Sequence, residues 1–157
     1  MNTGFMRSNA VANVKGGKEF PDISGQVKFY QKSNGVLVVA DISGLPRNTS
    51  GFFALHIHEG DNCRGENFSD TKGHFNPTKM PHPMHDGDLP PLLSNRGRAH
   101  LEVITNRFRV NDIIGRTVVI HNEADDFHSQ PAGNSGTKIA CGVIRRERPC
   151  QSCRNNA

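Results

Sequence analysis

Aromatic side chains and long apolar stretches are scarce in this sequence. It contains no tryptophan and one tyrosine, its aromatic fraction is 6%, and its hydrophobic fraction is 34%. No run approaches the roughly 18 apolar residues that a membrane-spanning helix needs, so we expect no membrane partner. The first residues, MNTGFMRSNAVANV, also lack the apolar core of a secretory signal. We expect either that the protein stays inside the cell or that a leader is missing.

Glycine and proline, in contrast, are plentiful. The 157 residues include 16 glycines and 9 prolines, a composition typical of short strands joined by many turns in a β-sandwich or barrel. The length suits one domain with a single core. We therefore predict one domain over residues 10–145, an N-terminal tail at 1–9 and a basic C-terminal tail at 146–157.

The pattern of apolar residues predicts short strands and one long loop. Residues 23–29 alternate between apolar and polar, residues 36–40 are apolar, and Asn34-Gly35 stands between them, which indicates a hairpin. Residues 59–95 show almost no periodicity, and a loop of that length is uncommon unless it carries function. Further strands are predicted at 10–15, 52–58, 98–105, 117–121 and 139–145.

The net charge of +4 is carried largely by arginines at the C-terminus. A positive tail would suit an acidic partner, but a solvated tail explains it equally well. No aromatic stacking platform or helical reading head accompanies it, so we expect no nucleic-acid partner. These arginines are Arg145, Arg146, Arg148 and Arg154.

Six of the eight histidines fall into three short groups. His56 and His58 are two residues apart in a predicted strand, so both side chains point to the same face at roughly 7 Å spacing. The opposite face, with Leu55 and Ile57, is then the one that packs into the core. Neutral imidazole is the commonest side-chain ligand for copper and zinc. Taken alone, however, this pair is equally well explained as two structural histidines.

The second group lies in the long loop, and the third is a single histidine. His74, His82, His85 and Asp88 supply three imidazoles and a carboxylate, the nitrogen and oxygen set that zinc accepts. A solvated connection is the alternative for this loop. His121 closes the predicted strand at 117–121.

The motifs HIH, GHFNP and the H-x-G-D of His85 to Asp88 occur in the order found in one known family. Together with the segments 115–127 and 133–144, they resemble the copper-zinc superoxide dismutases, in particular the bacterial, short-loop members. The resemblance runs from about Ala10 to Ile144. It implies an all-β, eight-stranded antiparallel Greek-key barrel or sandwich, of immunoglobulin-like architecture, with the metal sites outside the core under long loops.

The resemblance also implies an activity and a set of ligands. The activity is that of an oxidoreductase, in which copper cycles between two oxidation states while two superoxide anions become dioxygen and hydrogen peroxide. His74 would bridge copper and zinc as an imidazolate. The implied copper ligands are His56, His58, His74 and His121, and the implied zinc ligands are His74, His82, His85 and Asp88.

Other residues around these ligands follow from the same resemblance. Asp125 matches the carboxylate that hydrogen-bonds one copper histidine and one zinc histidine. Asp86 is a competitor of Asp88 for zinc, although the spacing after His85 favours Asp88. His100 and His128 match no functional position, so we expect both to be ordinary polar residues.

At one position the chain departs from the family. Where the family has an arginine three residues before the second cysteine, beside the substrate channel, this sequence has Lys138. Lysine keeps the positive charge but lacks the planar fork of a guanidinium, so we expect activity to be retained and inhibition by anions to change. The short loops leave subunit contacts open, and we expect either a monomer or a homodimer.

The four cysteines fall into two pairs. Cys63 and Cys141 match the disulfide of the family, which favours a periplasmic or extracellular location. Cys150 and Cys153 form a Cys-x-x-Cys in the tail, outside the resemblance, where they could be a thiol pair, an extra metal site or incidental.

Two other classes of function stay open from the residues alone. A non-enzymatic module that sequesters or delivers copper would use the same ligands. A zinc hydrolase would need an exposed zinc-bound water and a general base, and the long loop offers no obvious base. A complete set of copper ligands beside a channel cation favours the enzyme.

Overall fold

Short antiparallel strands make up most of the regular structure. The computed structural model describes residues 7–147, and within them β-branched and alternating apolar segments form nine strands. One helical turn, α1 (Val110–Ile113), and a 3-10 segment at Glu66–Thr71 complete the elements. The strands are β1 (Ala10–Gly16), β2 (Ser24–Lys32), β3 (Gly35–Ser43), β4 (Phe52–Phe53), β5 (Leu55–His58), β6 (Leu92–Leu93), β7 (Ala99–Thr105), β8 (Thr117–His121) and β9 (Lys138–Arg146).

Seven of these strands form one curled sheet in the order β5-β8-β9-β1-β2-β3-β7. The last strand, β9, therefore lies beside the first, as in a Greek key. The remaining two strands, β4 and β6, form a ribbon next to the two sheet edges, because β4 leads into β5 and β6 contacts β7. The predicted all-β antiparallel barrel or sandwich is confirmed, with the predicted strand 52–58 divided in two at Ala54.

The hairpin predicted around Asn34-Gly35 joins β2 and β3. Lys32 pairs with Gly35, so the two-residue turn is Ser33-Asn34, one position earlier than the sequence signal. Gly35 is the first residue of β3, with φ of +151°, and a β-carbon there would lie 2.5 Å from the carbonyl oxygen of Thr105. The glycine is therefore needed for close contact with the neighbouring strand rather than for the turn itself.

Burial along the strands locates the core and the site. In β1 and β3, buried and partly exposed residues alternate, so one face packs into the barrel and the other meets solvent. All residues of β5 and β8 are buried instead. Leu55 and Ile57 belong to the core, whereas His56 and His58 point to the opposite face, where loops cover them. The predicted orientation of β5 is confirmed.

The disulfide connects the long loop to the sheet. Cys63 and Cys141 are bonded, with their Cα atoms 5.8 Å apart, and they link the loop after His58 to β9. Cys150 and Cys153 lie outside the described residues. None of the helices in the described part of the chain is both long and apolar enough to cross a membrane.

Removing the disulfide should destabilise the fold. The bond spans 78 residues of sequence, and we expect the C63A/C141A protein to lose about 2–4 kcal/mol of unfolding free energy, because its unfolded chain is less restricted. Urea unfolding of the metal-free proteins measures this. Dithiothreitol should lower the stability of the unaltered protein to that of the variant and leave the variant unchanged. Equal stabilities under oxidising conditions would refute the expectation.

Candidate metal centre

Three of the histidines come from two paired strands. β5 supplies His56 and His58, and β8, which is hydrogen-bonded to β5, supplies His121 at its end. His74 joins them from the loop, through a bridge between its backbone and that of His58. One potential ligand atom from each of these four residues lies within 4.8 Å of the others, and all four residues are buried.

The long loop brings a second group against the same strand. Backbone hydrogen bonds join Ile57 to both Gly87 and Phe75, and Gly87 to Phe75, so the loop is fixed against β5 although its sequence has no periodicity. A β-carbon on Gly87 would lie 2.3 Å from the carbonyl oxygen of Ile57, so this approach requires glycine. The loop thereby collects a second buried set within 4.8 Å, consisting of His74, His82, His85 and Asp88.

Asp125 orients one histidine of each group. Its Oδ2 lies 2.7 Å from Nε2 of His56, and its Oδ1 lies 2.8 Å from Nε2 of His82. Because an ionised carboxylate only accepts hydrogen bonds, both Nε2 atoms carry the ring proton and both Nδ1 atoms carry a lone pair. The aspartate also accepts the backbone N–H of Phe127, at 2.7 Å. One carboxylate thus fixes the tautomer of two imidazoles.

Backbone carbonyls orient two further histidines in the same way. Nδ1 of His58 donates to the carbonyl of Lys72 at 2.9 Å, and Nδ1 of His121 donates to the carbonyl of Gly136 at 3.2 Å. The Nε2 atoms of His58 and His121 therefore both carry lone pairs. They face each other at 3.1 Å. Two lone pairs at this distance repel each other unless one cation binds both.

The orphaned ring nitrogens test whether a metal fits. Within residues 7–147, the buried Nδ1 of His56, Nε2 of His74 and Nδ1 of His82 make no hydrogen bond. Buried polar atoms are rarely left without a partner unless an ion or water supplies one. In the first group, Nδ1 of His56 and Nε2 of His74 are therefore free to bind a copper ion, and imidazole is among the ligands that suit copper.

Spacing in the second group fits a tetrahedral ion. Donors bound to one zinc at about 2.0–2.1 Å lie roughly 3.3 Å apart. Here Nδ1 of His74 is 3.2 Å from Nδ1 of His85 and 2.8 Å from Asp88. Asp88 Oδ2 lies 3.0 Å from Nδ1 of His82 and 3.4 Å from Nδ1 of His85. The contact to His82 has the length but not the alignment of a hydrogen bond.

Burial keeps four of the imidazoles neutral. Desolvation lowers the pKa of His56, His58 and His85, and together with the neighbouring His56 it lowers the pKa of His121 to about 3. A neutral imidazole has the lone pair that a metal needs. At neutral pH these rings are therefore ready to bind without first releasing a proton.

The two carboxylates stay ionised despite their burial. Burial alone would raise the pKa of Asp125, but hydrogen bonds from His56, Phe127 and His82 outweigh it and hold the pKa well below its ordinary value. For Asp88, burial is likewise outweighed, chiefly by the hydrogen bond with His74, so its pKa is also lowered. The centre therefore combines neutral nitrogens with anionic oxygens.

The residues predicted to bind metal lie together in the structure, whereas the other candidates lie apart from them. His100 is exposed and hydrogen-bonded to Asp41 at 2.6 Å, which raises its pKa, and His128 is an exposed partner of Asp126. Asp86 lies apart from the second group, because its Oδ2 accepts the hydroxyl of Thr78 at 2.6 Å.

Arg107 is a residue that sequence reasoning missed. Its guanidinium lies 2.9 Å from the carbonyl oxygen of Pro83, 3.3 Å from that of His85 and 3.4 Å from that of Asp88. It therefore clamps the backbone of the loop that presents the second group. A contact to backbone carbonyls from a distant segment leaves no motif in the sequence.

Comparisons with known proteins agree with this geometry. The family model described as copper/zinc superoxide dismutase matches residues 23–144. Superoxide dismutase [Cu-Zn] 2 of Aquifex aeolicus is 34% identical over 139 residues, covering 79% of this chain and 80% of its own. Superoxide dismutase [Cu-Zn] 1 of that organism is 35% identical over 150 residues, covering 86% and 85%.

A solved structure shows the same fold. The Cu/Zn superoxide dismutase from Brucella abortus superposes with a TM-score of 0.72, at 22% sequence identity, over 85% of this chain and 98% of that chain.

Acid should destabilise the metal-free protein. Because the pKa of His121 falls from 6.5 to about 3 on folding, the unfolded chain binds a proton that the folded chain does not. The stability is complete above pH 6.5 and declines as the pH falls toward 3. Between about pH 7.5 and 5, we expect His121 alone to account for about 2 kcal/mol.

Urea unfolding of the metal-free protein at the two pH values measures this change. H121N should show a shallower pH dependence, whereas H100Q should keep the acid-induced loss, because the pKa of His100 is raised rather than lowered. A stability that does not change between the two pH values would contradict the assignment of neutral buried rings.

Removing the guanidinium of Arg107 should weaken zinc binding. We expect R107M to bind zinc about threefold to tenfold more weakly, because the backbone that presents His85 and Asp88 loses its support. Competition with a chromophoric chelator measures the affinity. R47M, which removes an exposed arginine elsewhere, is the matched control. Equal zinc affinities for R107M and R47M would show that Arg107 has no such role.

Proposed function

The chain belongs to the copper/zinc superoxide dismutase family, and we propose that its two adjoining histidine groups form the active site of that enzyme. The reaction converts two superoxide anions and two protons into dioxygen and hydrogen peroxide, and the cofactors are copper and zinc. The observation that carries the proposal is His74, one buried ring that belongs to both groups of potential ligands.

We assign the ligands from the direction of each ring. Copper would be held by Nδ1 of His56 and by Nε2 of His58, His74 and His121, the nitrogens that face inward. Zinc would be held by Nδ1 of His74, His82 and His85 together with the carboxylate of Asp88. The outward hydrogen bonds of His56 and His82 to the shared carboxylate of Asp125 support both sets, because they fix which nitrogen is free.

His74 differs from its neighbours in its protons. His56, His58, His82 and His121 each commit one ring N–H to an acceptor that belongs to neither group of ligands. Neither His74 nor His85 has such a partner, but only His74 belongs to both groups, toward which its two nitrogens face. When bound, copper supplies the one-electron oxidation and reduction of superoxide. The protein's part would be to hold a proton at Nε2 of His74 whenever that nitrogen does not bind copper, and to release it toward the peroxide product.

Lys138 is our candidate for attracting the anion. Its ammonium takes part in none of the ion pairs found within residues 7–147, so its charge is not neutralised by a carboxylate there. It precedes the buried part of β9 and pairs across the sheet with His121. A positive charge beside the inward-facing nitrogens raises the local concentration of a small anion.

The disulfide and the single-chain ligand groups bear on the cellular location and the oligomeric state. The disulfide between Cys63 and Cys141 supports a periplasmic or extracellular location, because such bonds persist best in oxidising compartments. Both groups of potential ligands are built from a single chain, so the proposed activity is compatible with a monomer or a homodimer.

Reconstitution with copper and zinc tests the function. We expect one ion of each metal per chain, together with catalysed loss of superoxide. H74Q should lower activity by at least about tenfold and weaken the binding of both metals, because each group loses a donor. H100Q is the matched control, since this histidine is exposed and lies in neither group. Two bound metals without turnover would overturn the proposal in favour of a copper-binding module.

A further inference from the structure

The ammonium of Lys138 is held by two short hydrogen bonds. Nζ donates to Oγ1 of Thr71 and to the carbonyl oxygen of Lys72, both at 2.8 Å. An ammonium has three N–H donors, and the third has no partner within residues 7–147. The side chain is half-buried, so this third donor is directed from a fixed position rather than from a freely moving chain.

Thr71 is built to accept that ammonium. The residue is fully buried, and its hydroxyl proton is committed to the carbonyl of Phe68 at 2.8 Å. A hydroxyl has only one proton, so toward Lys138 the oxygen of Thr71 can only accept. The direction of both hydrogen bonds is therefore settled by the donors and acceptors themselves.

The second acceptor links the cation to a ligand of the first group. The carbonyl oxygen of Lys72 accepts Nδ1–H of His58 at 2.9 Å as well as Nζ–H of Lys138. Lys72 has φ of 60° and ψ of −145°, a backbone region that residues other than glycine rarely adopt. Such a conformation persists only where the surrounding contacts determine it, and here it turns one carbonyl toward both donors.

We propose that Thr71 is a positioning residue for anion capture: its hydroxyl fixes the ammonium of Lys138 so that one N–H is left to receive an anion approaching the copper histidines. This inference rests on the proposed function. A lysine is a flexible, strongly hydrated point charge, whereas an arginine has a planar fork that is already preorganised. A lysine at this position therefore needs a second acceptor to hold its charge in place, and Thr71 is that acceptor.

Azide binding to the copper- and zinc-loaded protein, followed by the visible spectrum of the copper, tests the proposal without measuring turnover. We expect K138M to weaken azide binding about tenfold and T71V about threefold, because a partly buried charge is lost or displaced. T71S keeps the hydroxyl and should stay within about twofold of the unaltered protein. T117V is the matched control, because it removes another buried hydroxyl bonded to the same loop, at Gly60, without touching Lys138.

A double-mutant cycle shows whether T71V acts through Lys138 or by disturbing the structure around the site. In the K138M background, T71V should cause no further loss of azide affinity, because there is no ammonium left to hold. In the zinc-loaded, copper-free protein, the ammonium N–H signal of Lys138 in a nitrogen-15 spectrum should broaden in T71V, through faster exchange with water, and persist in T71S.

Three results would overturn the role of Thr71, and they differ in whether the role of Lys138 also fails. If T71V weakens azide equally with and without Lys138, or matches T117V, Thr71 is merely structural and the inference fails. If K138M binds azide weakly but T71V binds it like the unaltered protein, the inference about Thr71 fails while the role of Lys138 stands. If K138M itself has no effect, the proposed channel role of Lys138 fails and the inference fails with it.

Discussion

Buried histidine nitrogens without protons converge at the centre of this molecule, and the surrounding contacts hold them there. Each ring of the first group that comes from the sheet donates its only proton outward, to Asp125 or to a backbone carbonyl, and so turns a lone pair inward. A buried acceptor without a partner costs about 1–3 kcal/mol. Several such atoms within 4.8 Å of one another are tolerable only if cations compensate them. The fold therefore holds unpaired nitrogens close together, and bound metal ions would compensate them.

The rest of the molecule can be understood as the means of holding that arrangement. The pairing of β5 with β8 sets the distance between His58 and His121, and the backbone bonds of Ile57 hold the long loop against the same strand. Asp125 joins the two groups through one carboxylate. The disulfide ties the loop to β9, where Lys138 begins the strand. The two metal groups are thus coupled through shared residues, of which His74 is the most direct.

The sequence predicted the sheet better than the loops. Alternation located the strands and put His56 and His58 on the face opposite Leu55 and Ile57, because side chains in a strand have a fixed period of two. Alternation did not show that loops bury these histidines, which only the resemblance implied. Nor did it divide the strand 52–58 at Ala54, whose N–H and C=O bond to Glu123 and His121.

The ligand set was readable because imidazoles and carboxylates carry their chemistry in the side chain, and the resemblance ordered them into two groups. The contacts that support these ligands could not be predicted from the sequence. Arg107 acts on backbone carbonyls, and Lys72 contributes its own carbonyl rather than its side chain. Such contacts depend on where the chain goes, which composition and periodicity do not determine.

Anomalous diffraction from crystals of the oxidised, copper- and zinc-loaded protein, recorded at the absorption edges of both metals, can locate each ion relative to the His74 ring. We expect two peaks on opposite sides of the His74 ring. Copper would lie among His56, His58 and His121, and zinc among His82, His85 and Asp88. A single peak, both metals in one group, or a His74 ring that contacts only one ion would contradict it.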